Sequence, residues 1–187
     1  MSVVVAIKKN NQVILAADSQ HTFGSSKPGD GNMQESKIRP IGDAYLAGTS
    51  WALYDNILDD FLAEKGTVAL QTKQEVFAFF KELWKALHDQ YSFVNDQCDD
   101  KETPFGDLDA SFLVVTRQRI FYISSDMCVT EFAKYHAIGS GSDFSIGALH
   151  VLYPQDLDLA DMATQAVETA IAHNIYCGAP VDIVRVE

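Results

Sequence analysis

The sequence predicts an α+β fold in which two antiparallel sheets carry helices on both outer faces. Three observations lead there. Short β-branched, apolar runs gather at the start, middle and end of the chain. Two pairs of amphipathic helical segments separate those groups. The resulting order (strands, two helices, strands, two helices, strand) lacks the strand–helix alternation of a doubly wound sheet. A single domain over residues 1–187 is expected, long enough to bury a core without disulfide or metal staples.

Residues 2–7 and 13–17 read as the first two strands, joined across Lys8-Lys9-Asn10-Asn11-Gln12, where Asn10-Asn11 suits a tight turn. The polar, Gly-rich segment 24–36 reads as a loop. Ile38 and Ile41 flank Pro40, and 43–47 reads as a short strand ending at Gly48. The first helix places Tyr54, Ile57, Leu58, Phe61 and Leu62 on one face, with Ser50 as its cap and Gly66 beyond its end. Thr72-Lys73-Gln74-Glu75 has the spacing of a capping box. Behind it Val76, Phe77, Phe80, Leu83, Trp84, Leu87 and Tyr91 form an apolar stripe for the core. The acidic stretch from Asn95 through Glu102 to Asp107 and Asp109 reads as a solvated loop and lacks the Gly-turn spacing of a calcium loop. Segments 111–116 and 119–124 make a hairpin around Arg117-Gln118, and 135–138 is a further strand. Gly139-Ser140-Gly141-Ser142 leads into a helix over 143–152. A last helix over 158–173 turns Leu159, Met162, Ala163, Ala166, Val167, Ala170 and Ile171 to one side, and 181–186 closes the chain as a strand.

Composition excludes several function classes. Hydrophobic residues make up 47% and charged residues 21% of the chain, as in ordinary globular proteins. No apolar run reaches the length of a membrane span, and Lys8 and Lys9 follow the first apolar run instead of preceding it, unlike a signal peptide. Cys98, Cys128 and Cys177 are odd in number and widely spaced, which points to reduced thiols in a cytoplasm and to neither a zinc site nor a disulfide frame. The formal net charge of −12 disfavours nucleic acid, whose phosphates would be repelled.

Ser2 is the residue that carries chemistry. Standing directly behind Met1, it becomes a free N-terminal nucleophile once Met1 is removed. It then has an Oγ to attack and its own α-amine to take the proton. An unperturbed α-amine titrates at about 7.7–8.0, close to where a general base works best at neutral pH. The plainer alternative is a small residue that merely lets Met1 be clipped. By the same token Asp18 could be a turn residue, Lys37 a surface charge and Ser140 part of an ordinary Gly-Ser turn.

Five stretches, taken in order, change that balance: the hydroxyl-led first strand; Ala16-Ala17-Asp18-Ser19; Ser36-Lys37-Ile38-Arg39-Pro40-Ile41-Gly42; Leu46-Ala47-Gly48-Thr49-Ser50; and Ala137-Ile138-Gly139-Ser140-Gly141-Ser142. In this order and at these separations the chain resembles the proteasome β-subunit family of N-terminal nucleophile hydrolases, especially the HslV-like members. The resemblance implies a four-layer αββα sandwich and a peptidase active inside stacked rings, with no cofactor and no metal. By position Ser2 is the nucleophile where most relatives have Thr, Asp18 the acidic partner, and Lys37 the catalytic lysine. Gly48 would present its N–H to the oxyanion, and Ser140 would hydrogen-bond near the N-terminal amine. His21, Thr22 and Ser50 would hold a peptide as an added strand. Leu46 would form the floor of the pocket beside the scissile bond and favour a modest apolar side chain.

Some positions depart from the family pattern. Ser in place of Thr removes the methyl that restricts χ1, so its Oγ is aimed less rigidly. Trp51 stands where relatives usually carry a small residue, either capping the pocket or packing on a neighbouring subunit. Asn174 and Cys177 replace the usual Asp and Ser supports; Asn174 can still hydrogen-bond, and Cys177 is a small buried filler or a poor hydroxyl substitute. These changes, the long 24–36 loop and the acidity are similar to the betaproteobacterial proteasome homologues, which implies a homo-oligomeric double ring of fourteen subunits. A twelve-subunit ring with an ATP-dependent unfoldase is the HslV-like alternative. Substrates would be unfolded polypeptides or short peptides, with no nucleic acid and no membrane. Two further readings use the same fold: a catalytically silent ring subunit acting as scaffold or gate, and a small-molecule amidohydrolase.

Overall fold

The structure, a computed structural model, describes residues 2–28, 32, 35–91 and 108–187. The acidic stretch up to Asp107, with Cys98, and parts of the 24–36 loop lie outside the described residues, as does Met1. Strands β1 (Val4–Lys9) and β2 (Gln12–Asp18) form an antiparallel hairpin. Asn10 and Asn11 adopt φ of 52° and 61° at its turn, the left-handed pair that a two-residue hairpin needs and that Asn tolerates. Strands β3 (Ile38–Ile41) and β4 (Ala44–Thr49) follow, then helices α1 (Leu53–Lys65) and α2 (Lys73–Asp89). Strands β5 (Ser111–Val115), β6 (Ile120–Ile123), β7 (Val129–Phe132) and β8 (Tyr135–Ile138) precede helices α3 (Ser142–Leu152) and α4 (Leu159–His173), and β9 (Val181–Val186) closes the chain.

The strands form a four-stranded sheet, β8-β1-β2-β9, and a five-stranded sheet, β3-β4-β5-β6-β7, with every pairing antiparallel. Alternation along β1 explains the layering. Val5 and Ile7 face α4 residues such as Met162, Ala166 and Val167, whereas Val4 and Ala6 face Leu113 and Val115 of the second sheet. On the far side of that sheet Leu46, Phe112, Val114 and Phe121 pack against Tyr54, Ile57, Phe80 and Leu83 of α1 and α2. Four layers, αββα, result. Both faces of the central strands are covered, so these strands are continuously apolar and show no polar alternation.

Several local expectations change. Ser50 does not cap α1: Ala52 holds the cap position without a side-chain bond, and the Ser50 hydroxyl donates to the Trp51 carbonyl instead. The capping box of α2 is present, with Thr72 Oγ1 accepting from Glu75 N at 3.2 Å and Glu75 Oε2 accepting from Thr72 N at 2.9 Å. Its buried face runs through Val76, Phe79, Phe80, Leu83, Ala86 and Leu87, so Phe79 enters the core and Phe77 is exposed. Both phenylalanines fit a helical stripe; packing against the sheet chooses between them. Strand β7 was not legible because it is a four-residue edge strand buried fully only at Val129. Among the described residues no helix is long and apolar enough to cross a membrane.

Between the sheets His136 lies opposite Ala6, stacked on Phe132 with ring centroids 4.0 Å apart and tilted against Tyr122 at 4.9 Å. Burial pushes its imidazole below the ordinary histidine range. The folded chain then binds fewer protons here than the unfolded chain. This contribution to stability is complete above about pH 6.5 and is lost as pH falls through the depressed folded value. Melting curves of the native protein and His136→Phe between about pH 8 and about pH 5 check this. The native protein is expected to lose more on acidification, and parallel losses would refute it.

Candidate active site

The hairpin of β1 and β2 brings the start of one strand beside the end of the other. Val4 pairs with Ala17, so Val3 meets Asp18: Asp18 N donates to Val3 O at 3.1 Å, and Val3 N donates to Asp18 Oδ1 at 2.9 Å. Asp18 is fully buried. Its Oδ2 accepts from Gln20 N at 3.2 Å and from Gly178 N at 3.0 Å. The same carboxylate takes the Lys37 ammonium, Nζ–Oδ1 2.8 Å, and that ammonium also donates to the Gln20 carbonyl at 2.8 Å. A buried carboxylate is tolerated only when paired and hydrogen-bonded, and both conditions are met here. Lys37, immediately before β3, is itself only 6% exposed.

Ser2, also 6% exposed, continues β1 toward the rim of the sheet layers. A cavity of about 390 Å³ opens there, and its wall includes Ser2, Lys37, Gly48, Gly139 and Ser140. These residues sit at the ends of β1, β3, β4 and β8, so the gap between the two sheets becomes the site. The turn after β8 grips the Ser2 backbone. Gly141 N donates to Ser2 O at 3.3 Å and the Ser140 hydroxyl donates to the same oxygen at 3.4 Å. Gly139 has φ +93°, and a Cβ there would stand 2.2 Å from Ser2 O. At Gly48 a Cβ would stand 2.6 Å from the Phe112 ring. Close approach therefore requires glycine at both positions.

Asn174 ends α4 and supports the turn, its Nδ2 donating to Ser140 O at 2.6 Å. Cys177 is buried beside it, against the point where a Gly141 side chain would begin. Burial, reinforced by the Asp18 charge, pushes its thiol up to about 11, so Cys177 stays protonated and is no nucleophile at neutral pH. Ser140 thus contacts the Ser2 carbonyl, where the resemblance implied contact near the amine.

His21, Thr22 and Ser50 line the cavity, as does Trp51. Leu46 does not. It is fully buried on the outer face of β4 with Phe112 and Tyr54, because side chains alternate along the strand and its neighbours there are those of α1 and α2. Sequence reasoning also missed Asp55, in the first turn of α1, and Asp109, both on the cavity wall. Asp109 was hidden in an acidic run that looked uniformly solvated. Among the described residues no three His, Cys, Asp or Glu side chains gather as a metal site requires.

No protein-family model matches the chain. A proteasome subunit beta of Nanoarchaeum equitans (strain Kin4-M) is 25% identical over 191 residues, 98% of this chain and 91% of that protein. The solved structure of Thiobacillus denitrificans BPH is 26% identical with a TM-score of 0.89, covering 99% of this chain and 97% of that one. Over nearly its whole length the chain is similar to the proteasome β-subunit and HslV-like N-terminal nucleophile hydrolases. HslV of Trypanosoma brucei, 18% identical with a TM-score of 0.68 over 99% of both chains, shares the fold. The αββα sandwich of this proteasome-like chain is thus the N-terminal nucleophile hydrolase fold, and its relatives support a proteasome-type peptidase.

Proposed function

We propose that this chain is a self-compartmentalising endopeptidase whose nucleophile is Ser2 Oγ, exposed when Met1 is removed. The observation that carries the reading is the shared cavity of Ser2 and Lys37, with Lys37 held by the buried Asp18 at 2.8 Å. In this mechanism the freed Ser2 amine takes the Oγ proton as Oγ attacks a peptide carbonyl. The Lys37 cation nearby disfavours a second positive charge and so keeps the amine in its neutral, proton-accepting form, while Asp18 holds the ammonium in place. The oxyanion meets the Gly48 N–H, a contribution of about 3–4 kcal/mol for one preorganised donor. The amine then protonates the leaving nitrogen, an acyl ester forms on Ser2, and water activated by the same amine releases it. With Met1 attached, the Ser2 nitrogen is an amide and this route is closed.

His21, Thr22 and Ser50 would hold the peptide along the cavity, and Asn174 and Cys177 would support the Ser140 turn. Subunits would stack as a cytoplasmic double ring of fourteen, with twelve as the alternative. Short or unfolded peptides are the substrate class, with an ATP-dependent unfoldase as the feeder in the twelve-subunit alternative.

The test is intact mass before and after epoxomicin, the compound present in a second solved structure of Thiobacillus denitrificans BPH, 26% identical to this chain. Such an epoxyketone needs a free N-terminal hydroxyl and its adjacent amine. The Met-free protein is expected to gain one adduct, Ser2→Ala none, and peptide cleavage is expected to fall at least about 10³-fold in that variant. A Met-free protein that takes no adduct would favour the silent subunit or the small-molecule enzyme.

A further inference from the structure

Beyond Ser2 and Lys37 the cavity wall changes character. Asp55, Trp51 and Asp109 lie on it together. Asp55 projects from the first turn of α1, its Oδ1 2.9 Å from Arg39, and Arg39 also binds Asp59 at 2.7 Å. Two carboxylates therefore share one guanidinium, which leaves that group negative. Burial holds the Asp55 carboxyl above the ordinary carboxylate range against the pull of Arg39, so its charge is under-compensated where it stands. On the same wall Lys37 is already matched by Asp18, and His21 offsets the Asp55 charge only after Arg39.

Asp109 adds a second negative charge, in a position set by the fold. Leu108 is fully buried, its N–H donates to Ser125 O at 2.7 Å, and its carbonyl accepts from the Tyr54 hydroxyl. Asp109 follows with φ +49°. Its Oδ2 accepts from the Trp51 indole at 3.0 Å, which holds a ring that is 71% exposed against the cavity mouth. A carboxylate at the N–H edge of an exposed indole suits a cation, through its own charge and through the quadrupole of the ring.

We propose that Asp55, Asp109 and Trp51 make this cavity select a basic side chain, Lys or Arg, on the acyl side of the bond that Ser2 cleaves. The inference rests on the peptidase reading above and replaces the apolar preference that Leu46 would have implied. A substrate carbonyl placed at Ser2 puts the preceding side chain into the same cavity, where its alkyl stem can lie along Trp51 and its charge can meet the two carboxylates. A glutamate there would face like charges in a partly desolvated space.

The experiment uses the Met-free protein with three fluorogenic peptides that differ only in Arg, Leu or Glu before the cleaved bond. The Arg peptide is expected to exceed the Leu peptide in kcat/KM by about tenfold or more, with Glu the poorest. Asp109→Asn and Asp55→Asn should each lower the Arg-to-Leu ratio several-fold, and Asp109→Lys should lower it further. Added salt should shrink the preference as exposed charges are screened. Where turnover is slow, rates of adduct formation with epoxyketones bearing Arg or Leu at that position report the same ratio. Leu equal to Arg in the native protein, or a ratio unmoved in both Asn variants, would overturn the inference and leave the peptidase reading standing. Neither cleavage nor adduct with any probe would overturn both.

Discussion

Asp18→Asn is expected to lower the stability of the fold by about 3–5 kcal/mol, the cost of breaking a buried ion pair from one side. The geometry explains why so small a change is severe. Asp18 is fully buried and accepts from Val3 N, Gln20 N, Gly178 N and Lys37 Nζ. An amide offers one acceptor oxygen, and its NH₂ would confront donors where an oxygen now accepts. The Lys37 ammonium, 6% exposed, would lose its counter-charge and be left with neutral acceptors such as the Gln20 carbonyl at 2.8 Å. Lys37→Met added to Asp18→Asn should recover a measurable part of the loss, because no unpaired cation is then buried. Urea unfolding of the single and double variants reads this directly. A double variant that loses the two single effects additively would show that the pair is not coupled, and the electrostatic account of the site would fail.

Gly139→Ala is the second large effect, about 2–4 kcal/mol from backbone strain and overpacking together. The backbone at Gly139 has φ +93°, a region that residues with a Cβ rarely enter. The added carbon would stand 2.2 Å from the Ser2 carbonyl oxygen and 2.8 Å from Thr49 Cγ2. A carbonyl in an anchored backbone cannot yield as a flexible side chain can, so Ser2 and the turn must separate. Under the proposed mechanism the nucleophile moves with its carbonyl, and epoxyketone labelling should slow along with the loss of stability. Gly147→Ala is the internal control. Gly147 lies inside α3 with open space where a Cβ would go, and the change should stabilise by about 0.5–1 kcal/mol through helix propensity. Equal destabilisation by the two substitutions would refute the steric argument.

What was legible in the sequence and what was not divides along physical lines. The β1–β2 hairpin was legible because its turn is two adjacent asparagines, and the start of α2 because a capping box is written within four residues. The motif order around Asp18, Lys37, Gly48 and Ser140 was enough to show the family resemblance and, through it, the fold. Phe77 and Phe79 were not separable, since both suit a helical stripe and only the sheet beneath decides which is buried. Leu46 failed for a related reason: two residues from Gly48 on the same strand, it is turned to the helical layer by the sheet that β4 joins.

The acidic wall of the cavity lay further beyond reach. Asp55 and Asp109 come from a helix start and the end of a long acidic run, and each looked like a solvated charge. Their convergence depends on Tyr54 holding Leu108 and on Trp51 reaching Asp109 across 58 positions of chain. By itself the sequence determined the order of the helices and of most strands, the Asn10-Asn11 turn, the cap of α2, most of each apolar face and the family resemblance. Those signals are local, or follow one another along the chain. Tertiary structure alone decided which charges are buried, which glycines bear a close contact, and which carboxylates share a cavity with Ser2. Burial and proximity are properties of the folded path, and pairs such as Asp18 with Gly178, 160 positions apart, have no local pattern to announce them.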